Sequence, residues 1–439
     1  MQLSHRIELK PSPEQAEYFA RACGTARFVW NWALAEWNRL YTAGQKPKAI
    51  ALKKQFNAIK YATYPWLKDI HRDAHAQPFT YLGRAWAKFF ANIRAGQRAY
   101  APKFKKKDKC FDSFYVANDK FSVTGQTVRL PLVGQMSMTE ALRFDGKILG
   151  ATVSRTAQRW FISIQVEVPE HVFLRQRSDN GIVGADLGVK TAVTLSDGQT
   201  FTAPKPLKAS LRRLRIRGRR LSHKIEVAKR AVKSIHGPHQ FSRQPLPMSQ
   251  RRLQSSQALA RLHARIARTR ADWTHKLTTH LCRENQTVVI EDLNVKGMLA
   301  NDKLARAISD IGFGEFRRQL EYKAKRYGAK LILADRWYPS SKLCSCCGWR
   351  YEALTLNQRE WTCRACDTVH DRDLNAAINL KRLATETALP VASRPVTEGT
   401  ATGIVPAAVG KVTSVRHEAA QSGDSGRKEI VRDHFCALF

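Results

Sequence analysis

Five of the chain's nine cysteines lie in one stretch, LCSCCGWRYEALTLNQREWTCRACDTVHDRD. It contains two C-x₂-C pairs separated by fifteen residues, the spacing of a four-cysteine zinc ribbon. Each pair would form a tight turn, or knuckle, that directs two thiolates at one ion. Four sulfur ligands leave no open coordination position, so the predicted zinc is structural rather than catalytic. The predicted zinc ligands are Cys344, Cys347, Cys363 and Cys366.

The residues around these pairs differ in how well they fit a ribbon. Gly348 follows the first pair where a knuckle often needs a positive φ, whereas Asp367 stands at the matching place after the second pair. Cys346 is adjacent to Cys347, and two neighbouring side chains do not easily point at one ion. We therefore interpret Cys346 as a spare thiol. His370 lies too far beyond the second pair to be expected to replace a ligand.

Three acidic residues form a second group with different chemistry. Asp186 is predicted to lie mid-strand in GADLGVK among apolar residues, Glu291 follows VVI in VVIEDL, and Asp373 begins the helical pattern of DRDLNAAINL. A carboxylate on a buried strand is costly unless it is paired or binds a cation. Three converging carboxylates can hold two Mg²⁺ ions, which prefer oxygen ligands and together promote phosphodiester hydrolysis.

Each acid also has a purely structural interpretation. Asp186 could be a turn residue before Gly188, and Asp373 could be a helix N-cap. Glu291 and Asp292 could be a solvated pair at a strand end. Taken together, on an α/β core in a strongly basic chain, the three acids favour catalysis.

The elements that position these residues change along the chain. MQLSHRIEL alternates as a strand does, and Ser12 with Gln15 has the pattern of a capping box that starts a helix. Helical periodicity continues to about residue 100, and its aromatic residues are more typical of a core than of base stacking. Short alternating strands over 110–169 predict a small antiparallel barrel or sheet. From residue 182 strands alternate with helices, which predicts an α/β core.

The charge balance favours a polyanionic partner. The 439 residues include 74 Lys and Arg against 37 Asp and Glu, a formal net charge of +37. Such a surplus repels itself in a folded protein unless a polyanion neutralises it, which favours nucleic acid over a membrane surface. Residues 211–270 carry seventeen of these cations and one acid, with a predicted helix break from Gly237. The predicted nucleic-acid contacts are Lys103, Lys105, Lys106, Lys107, Arg212, Arg213, Arg217, Arg219 and Arg220.

Several protein classes are disfavoured by the sequence. The N-terminal residues lack the apolar segment of a signal peptide, and no run is long enough to span a bilayer. An odd number of mostly clustered cysteines argues against a disulfide framework, so we expect a reducing cytoplasm. The segment after about residue 384 is poor in aromatic residues and is predicted to be disordered, with no assigned function.

GADLGVK, IEDLNVKGM, SSKLCSCCG with CRAC, and HDRDLNAAINL occur in that order. Together they resemble the RuvC-like nuclease domain, with its embedded zinc ribbon, of the TnpB proteins of bacterial insertion sequences. These proteins are relatives of the type V CRISPR effectors. RFVWNWAL, PKFKKK, VRLPLVG and TVSRTAQRWFISIQVEV extend the resemblance upstream, so that it covers about residues 1–384.

The resemblance implies a multidomain α/β and β protein with an RNase H-like (RuvC) nuclease core and an inserted zinc ribbon. It also implies an N-terminal oligonucleotide-binding-like wedge barrel that a helical recognition domain interrupts. The implied domains are 1–10 and 101–180 for the wedge barrel, 11–100 for the helical domain, 181–340 and 368–384 for the nuclease domain, 341–367 for the ribbon that binds target nucleic acid, and 385–439 for the tail.

The implied activity is Mg²⁺-dependent cleavage of double-stranded DNA beside a short transposon-adjacent motif, directed by an omega (guide) RNA. The two-metal site falls on Asp186, Glu291 and Asp373, and the zinc site on the four cysteines. Asp371 is the nearest competitor for the third acid, but Asp373 directly precedes the family's helix-opening Leu-Asn-Ala. A monomer with one RNA, acting at the nucleoid in the bacterial cytoplasm, is expected. The alternative is an RNA-guided DNA-binding repressor without cleavage.

Overall fold

The computed structural model describes residues 1–107, 109–174, 178, 180–240, 246–355 and 357–386. The predicted disordered tail begins at residue 385, but residues 385 and 386 still belong to a helix, so that part of the prediction is wrong. The rest of the tail, from residue 387 onward, lies outside the described residues. So does part of the predicted helix break, residues 241–245. Within the described ranges, no helix combines the length and the apolar character that a membrane crossing needs.

A seven-stranded sheet in which every pairing is antiparallel forms the base of the N-terminal half. Alternate residues of its first strand, including Leu3, Ile7 and Leu9, face the core, as the alternating sequence predicted. The strands are β1 (Gln2–Lys10), β2 (Ser113–Ala117), β3 (Ser122–Thr124), β4 (Thr127–Leu130), β5 (Gly134–Met138), β6 (Lys147–Thr156) and β7 (Arg159–Glu167). Their order is β2-β6-β7-β1-β5-β4-β3, so β1 lies in the middle of the sheet.

Three helices, α1 (Pro13–Thr42), α2 (Ala49–Thr63) and α3 (Arg72–Arg94), lie between β1 and β2 in the chain. The predicted capping box is confirmed, because Ser12 Oγ accepts from the Gln15 amide at 3.2 Å and Gln15 Oε1 accepts from the Ser12 amide at 2.9 Å. Trp30 and Trp37 are each 8% exposed in the core that the helices share, whereas Tyr41 is 64% exposed. The aromatic run therefore mainly stabilises these helices.

Seven further helices follow among the described residues: α4 (His171–Leu174), α5 (Pro206–Gln240), α6 (Gln250–Glu284), α7 (Val295–Leu299), α8 (Ala305–Ile311), α9 (Phe313–Tyr327) and α10 (Arg372–Glu386). The basic helix α5 continues through Gly237 to residue 240, so the predicted break comes after that glycine and not at it. Asp310 of α8 caps the start of α5 by accepting from the Leu207 amide at 3.0 Å, and it also accepts from Arg270 Nε of α6 at 3.0 Å. Asp310 thus joins α8 to both basic helices.

A five-stranded sheet forms the centre of the C-terminal half. Its strands are β8 (Ile182–Asp186), β9 (Val193–Leu195), β10 (Thr200–Phe201), β11 (Thr287–Glu291) and β12 (Lys330–Ala334), in the order β10-β9-β8-β11-β12. β8, β11 and β12 are parallel, and β9 and β10 are antiparallel to their neighbours. Val288 and Ile290 share a core with α6 and α9, whereas Val289 between them packs with α10. Helices therefore cover both faces of the sheet, as the α/β pattern predicted.

The segment between β12 and α10 has a small core of its own. It contains the two-stranded sheet of β13 (Glu360–Thr362) and β14 (Val369–Asp371). Trp361 of β13 is 4% exposed and packs with Leu354 and with cysteines of the two C-x₂-C pairs. This segment, residues 335–371, is called the ribbon segment below.

Candidate functional site

The ends of two parallel strands bring the first two predicted acids together. Asp186 is the last residue of β8 and not a mid-strand residue as predicted, and Glu291 is the last residue of β11. The strands pair in register with Ile290 opposite Ala185, so the next positions along them are Glu291 and Asp186. Neighbouring strands lie about 4.8 Å apart, which places both carboxylates at one edge of the sheet. This edge is called the acid edge below.

Gly184 allows α10 to bring the third acid to the same edge. A Cβ at this position would lie 2.0 Å from the carbonyl oxygen of Ala377 and 2.6 Å from the amide nitrogen of Lys381. Only glycine therefore permits the helix backbone to lie this close to β8. Asp373 is one helical turn before Ala377, about 6 Å along the helix, and Asp186 is two residues beyond Gly184, about 6.6 Å along the strand. The close approach thus brings Asp373 towards Asp186.

The electrostatics of the three acids reflect this convergence. Burial raises the pKa of Asp186 well above its usual value, and the negative charges of Glu291 and Asp373 raise it further, while two nearby arginines act in the opposite direction. Burial also raises the pKa of Glu291, although a hydrogen bond from the Ser340 hydroxyl, at 2.6 Å, opposes the rise. The acid edge is therefore costly when fully ionised, and protonation or a bound cation would relieve that cost.

Arginines, rather than the end of its helix, hold Asp373. Arg359 Nη1 donates to both of its carboxylate oxygens, at 3.1 and 3.0 Å, and Arg372 Nη2 donates to Oδ1 at 3.1 Å. Asp371 fills the N-cap position, because its Oδ1 accepts from the Leu374 amide at 2.8 Å. The helix-cap interpretation therefore applies to Asp371, the competing acid, and not to Asp373.

Glu291 and Asp292 are neighbours in very different environments. Asp292 binds Arg317, and it accepts from Arg336 Nη2 at 2.7 Å. Hydrogen bonds from these two arginines hold the pKa of Asp292 below its usual value. Because Glu291 has the opposite shift, caused by burial, the two acids do not form a solvated strand-end pair. Ser340, which orients Glu291, had no signal in the sequence that linked it to the acids.

The four predicted zinc ligands converge in the ribbon segment. Their Sγ atoms lie within 4.8 Å of one another. Cys347 Sγ is 3.6 Å from Cys363 Sγ, and Cys344 Sγ is 3.7 Å from Cys366 Sγ. Zn–S bonds of about 2.3 Å in a tetrahedron give sulfur–sulfur distances of about 3.8 Å, so the donor set and its spacing fit zinc. Cys346 has an exposed side chain and does not belong to this group of described residues.

The two knuckles repeat one backbone geometry. The Gly348 amide donates to the Cys344 carbonyl at 2.9 Å, and the Asp367 amide donates to the Cys363 carbonyl at 2.9 Å. Gly348 has a φ of +79°, as the knuckle pattern predicted, and Asp367 has a φ of +54°. Aspartate tolerates the left-handed region better than most non-glycine residues do, so the second knuckle keeps the turn without a glycine.

Three polar side chains outside the cysteine pairs also support the ribbon segment. His370 Nε2 lies 3.0 Å from Cys344 Sγ, so this histidine contacts a predicted ligand without joining the four-sulfur group. Asn375 Oδ1 of α10 accepts from the Ser345 amide at 2.8 Å, and Asn379 Nδ2 donates to the Ser340 carbonyl at 2.7 Å. The two asparagines are one helical turn apart in an apolar segment, a pattern that indicates satisfied buried polar groups.

A cleft of about 470 Å³ lies where the basic helices meet β7. Two predicted contacts, Arg213 and Arg217, line it, and Arg217 Nη1 also donates to the Ala258 carbonyl of α6 at 2.7 Å. Arg159 and Arg268 pair with Glu8 at 2.8 and 3.6 Å, and the other four guanidinium groups around the cleft suit a phosphate backbone. The remaining predicted residues of α5, Arg212, Arg219 and Arg220, are exposed but are not among the lining residues. The lining residues are Arg159, Arg213, Arg217, Arg261, Leu262, Arg265, Arg268 and Thr269.

Four of these arginines were not predicted as contacts. Arg261, Arg265 and Arg268 are spaced along one face of α6, a signal that the sequence does contain. Arg159 has no comparable signal in the sequence, because it belongs to β7 of the seven-stranded sheet and not to the basic helices.

The predicted lysine contacts before β2 are in mixed environments. Lys103, Lys106 and Lys107 are exposed. The Lys105 ammonium lies 4.1 Å from the ring centroid of Trp30, and burial lowers the pKa of this lysine. Lys105 therefore attaches the loop to α1, whereas the other three lysines can reach a phosphate.

Three protein-family models match parts of the chain. They are described as "Helix-turn-helix domain" over residues 1–46, "Probable transposase" over 163–302, and "Cas12f1-like, TNB domain" over 313–380. The first 46 residues here contain β1 and α1, so the first description does not correspond to their secondary structure. The third match spans the four cysteines and most of α10.

Curated relatives align over most of the chain. A protein of Streptomyces pristinaespiralis, "Putative RNA-guided DNA endonuclease", is 35% identical over 378 residues, which are 84% of this chain and 86% of the relative. The Escherichia coli protein InsQ, with the same description, is 30% identical over 395 residues, 85% of this chain and 90% of the relative. These identities over most of both chains show a shared family.

Solved structures show weaker likenesses. The complex of Cas12f1 with sgRNA and target DNA matches with a TM-score of 0.46 and 14% identity, over 84% of this chain and 83% of that one. CasPhi-2 bound to crRNA matches with a TM-score of 0.40 and 12% identity, over 88% of this chain and 98% of that one. The sequence relatives, and not these structures, carry the family assignment.

Proposed function

Because the chain belongs to the TnpB family of RNA-guided DNA endonucleases, we propose that it cleaves double-stranded DNA at the acid edge under the direction of a bound RNA. The observation that carries this proposal is the convergence of Asp186, Glu291 and Asp373 from three distant segments. As in the other members, the gene would belong to an insertion sequence, and cleavage would occur beside a short transposon-adjacent motif.

The finer architecture is part of the same proposal. The five-stranded sheet with its covering helices would be the RNase H-like (RuvC) core, and the four-cysteine part of the ribbon segment would be its inserted zinc ribbon. The seven-stranded sheet would be the wedge domain, and α1–α3 would be the helical recognition domain. The position of the acids at the carboxyl ends of parallel strands supports this assignment, because ligands of open α/β sheets bind there.

Asp186, Glu291 and Asp373 would hold Mg²⁺. The donor set fits, since all donors are oxygens and burial with mutual repulsion raises the pKa of Asp186, a condition that a divalent cation relieves. A pair of such ions supplies an activated water and charge stabilisation at the leaving oxygen. Ser340 orients Glu291, and Arg359 with Arg372 holds Asp373 near its place of action.

The four cysteines would hold a structural Zn²⁺. The ion would connect the two knuckles and thereby fix the segment that carries Arg359 and the start of α10. Because Asn375 and Asn379 attach this segment to α10, the zinc would also help to position Asp373 on that helix. Its role in the proposal is therefore structural.

The basic surface would bind the nucleic acids. Guide pairing would read the target sequence, while the protein holds the backbone of the heteroduplex without reading its bases. The cleft between α5, α6 and β7, together with Lys103, Lys106 and Lys107, offers cations for that purpose. We propose one chain per guide RNA.

The test is cleavage of a target plasmid by ribonucleoprotein purified with its co-expressed RNA. Asp186→Asn should reduce the cleavage rate at least about 100-fold while the RNA still co-purifies. Asp197→Asn is the matched control, because Asp197 is an exposed turn residue whose carboxylate accepts from the Gln199 amide at 3.0 Å. Cleavage at the wild-type rate by Asp186→Asn would exclude the acid edge as the site of cleavage. Specific binding without strand breaks by the wild type would indicate an RNA-guided repressor.

A further inference from the structure

Trp337 is an exposed aromatic residue close to the acid edge. It follows β12 in the sequence DRWYPSS and is 85% exposed, whereas Trp30 and Trp37 of the helical core are each 8% exposed. In the described part of the chain its indole has no hydrogen-bond, ring or cation partner. An indole with this much exposure gives up a large hydrophobic contribution to folding, so its position suggests another use.

The residues before Trp337 are fixed in place. Asp335 Oδ1 accepts from the Trp337 amide at 2.8 Å. Arg336 Nη2 donates to Asp292 Oδ2 at 2.7 Å, next to Glu291. The backbone that carries the indole is therefore attached to the acid edge from its N-terminal side.

The residues after Trp337 are fixed as well. The Tyr338 hydroxyl donates to the Asn379 carbonyl of α10 at 3.2 Å. The Ser340 hydroxyl donates to Glu291 Oε1 at 2.6 Å. The loop is therefore fixed on both sides, while its largest apolar side chain is exposed. Such a loop holds the indole in a defined position on the surface, as a residue that binds a partner requires.

The spacing places this indole near the site of cleavage. Ala334 pairs with Glu291 across β11 and β12, and Trp337 is three residues after Ala334 and three before Ser340. Three residues span at most about 10 Å. That distance corresponds to about three nucleotides of a stacked strand, at 3.4 Å each.

We propose that Trp337 is a stacking platform for a base of the DNA strand that enters the acid edge, one to three nucleotides from the scissile phosphate. The proposal rests on the proposed function. Base–aromatic stacking tolerates any sequence, since every base has a π-face, and a nuclease whose target is set by its guide needs such tolerance. Arg336 is already paired with Asp292, and Lys342 Nζ donates to the Glu352 carbonyl at 2.8 Å, so stacking rather than local positive charge would hold the strand here. Trp337 acts as a positioning residue that holds the strand while other groups react.

The first readout is stacking itself, measured without cleavage. Ribonucleoprotein of the Asp186→Asn chain, with the RNA that co-purifies with it, is bound to matched DNA duplexes that carry one 2-aminopurine at successive positions along both strands of the target. We expect quenching that depends on Trp337 at one or two adjacent positions of one DNA strand. Trp337→Ala should abolish it and Trp337→Phe should retain it. Tyr41→Ala, at a residue that is 64% exposed on α1, is the control and should change nothing.

The second readout is the single-turnover cleavage rate with Asp186 intact. Trp337→Ala should slow cleavage about 10- to 100-fold, the range expected for the loss of one stacked base, and Trp337→Phe should restore most of it. An abasic nucleotide at the position where 2-aminopurine is quenched should slow cleavage by the wild type by a similar factor. It should not slow cleavage by Trp337→Ala any further, as a double-mutant cycle requires for a direct contact.

The outcomes separate this inference from the proposed function. A wild type that never cuts would refute the nuclease proposal, while the fluorescence readout would still decide the stacking. If no position in the DNA shows quenching that depends on Trp337, the proposal that Trp337 stacks on a DNA base is wrong. The proposal would also be wrong if only 2-aminopurine in the guide RNA responded, or if only the oligomeric state changed, because either result would assign the indole to a different partner.

Discussion

Arg359 of the ribbon segment donates from Nη1 to both carboxylate oxygens of Asp373 on α10, at 3.1 and 3.0 Å. One guanidinium therefore links the predicted zinc ribbon to the third predicted catalytic acid, although their metal chemistries are separate. A guanidinium and a divalent cation compete for the same carboxylate oxygens, so this ion pair should oppose metal binding. It should also keep the carboxylate ordered when no metal is bound.

The first prediction concerns this competition. Arg359→Ala should lower the Mg²⁺ concentration for half-maximal cleavage by about 2- to 5-fold, because an ion pair this exposed contributes at most about 1 kcal/mol. Arg350→Ala is the matched control, since Arg350 Nε binds Glu352 at 2.6 Å and, among the described residues, Arg350 contacts none of the three acids. A higher Mg²⁺ requirement in Arg359→Ala would show that orientation of Asp373 outweighs competition.

Asp186 should reduce the stability of the metal-free protein. Burial and the charges of Glu291 and Asp373 raise its pKa, so above the ordinary pKa the folded chain binds more protons than the unfolded chain. The free energy of unfolding therefore falls as pH rises through the raised pKa and stays low above it. Asp186→Asn should raise the melting temperature in Mg²⁺-free buffer at pH 8, and the difference from the wild type should shrink towards pH 4.

Magnesium provides the complementary measurement for Asp186. Added Mg²⁺ should raise the melting temperature of the wild type and have much less effect on Asp186→Asn, because the cation binds only the folded site. If the variant melted below the wild type at pH 8, Asp186 would be stabilising the fold.

Gly184 should be intolerant of any side chain. Its missing Cβ leaves room for backbone atoms of Ala377 and Lys381, which cannot rotate away as a flexible side chain could. Gly184→Ala should cost more than about 3 kcal/mol in the free energy of unfolding, or displace α10 and abolish cleavage. Gly218→Ala in α5 is the control, because a Cβ there would face open space, and it should stabilise the helix by up to about 1 kcal/mol. Urea unfolding and cleavage assays of both variants make the comparison.

The zinc assignment depends on which of two adjacent cysteines is a ligand. Cys347→Ser should lower the zinc content measured by mass spectrometry, whereas Cys346→Ser should keep about one zinc per chain, because only Cys347 belongs to the four-sulfur group. Loss of zinc in Cys346→Ser, with retention in Cys347→Ser, would reverse the assignment.

Each knuckle has one residue with a positive φ, and substitutions of these two residues should change the stability of the ribbon in opposite directions. Gly348→Ala places a Cβ on a residue with a φ of +79° and should destabilise the ribbon by about 1–2 kcal/mol. Asp367→Gly relieves a φ of +54° and should be neutral or stabilising by a few tenths of a kcal/mol. Resistance of bound zinc to a chelator would measure both effects. Faster zinc loss from Asp367→Gly would show that the aspartate side chain stabilises the zinc site by more than its positive φ destabilises it.

Features encoded by local patterns could be predicted from the sequence. The capping box of Ser12 and Gln15 depends only on residues three apart, and the knuckles depend on C-x₂-C spacing with a following Gly348. Asp186 and Glu291 stand out because each ends a short apolar strand. In each case neighbouring residues in the chain supply the whole physical signal.

Features that need two distant segments could not be predicted in this way. The Arg359–Asp373 ion pair, the contact of His370 with Cys344 and the entry of Arg159 into the basic cleft all depend on how separate elements pack. The surroundings of a charged side chain could not be predicted locally either. Lys105 belongs to a run that predicts phosphate contact, yet its ammonium covers an aromatic ring.

The central position of β1 bears on the order of folding during synthesis. Leu9 pairs with Trp160, so β1 precedes its β7 partner by about 150 residues. At about 5–20 residues per second, that partner is translated roughly 8–30 s later. The helices α1–α3 have their own core and can fold in that interval, while the amphipathic strand β1 stays unpaired. The speed of translation between β1 and β7, rather than the stability of the finished sheet, should therefore set how long this strand is open to aggregation or to chaperones.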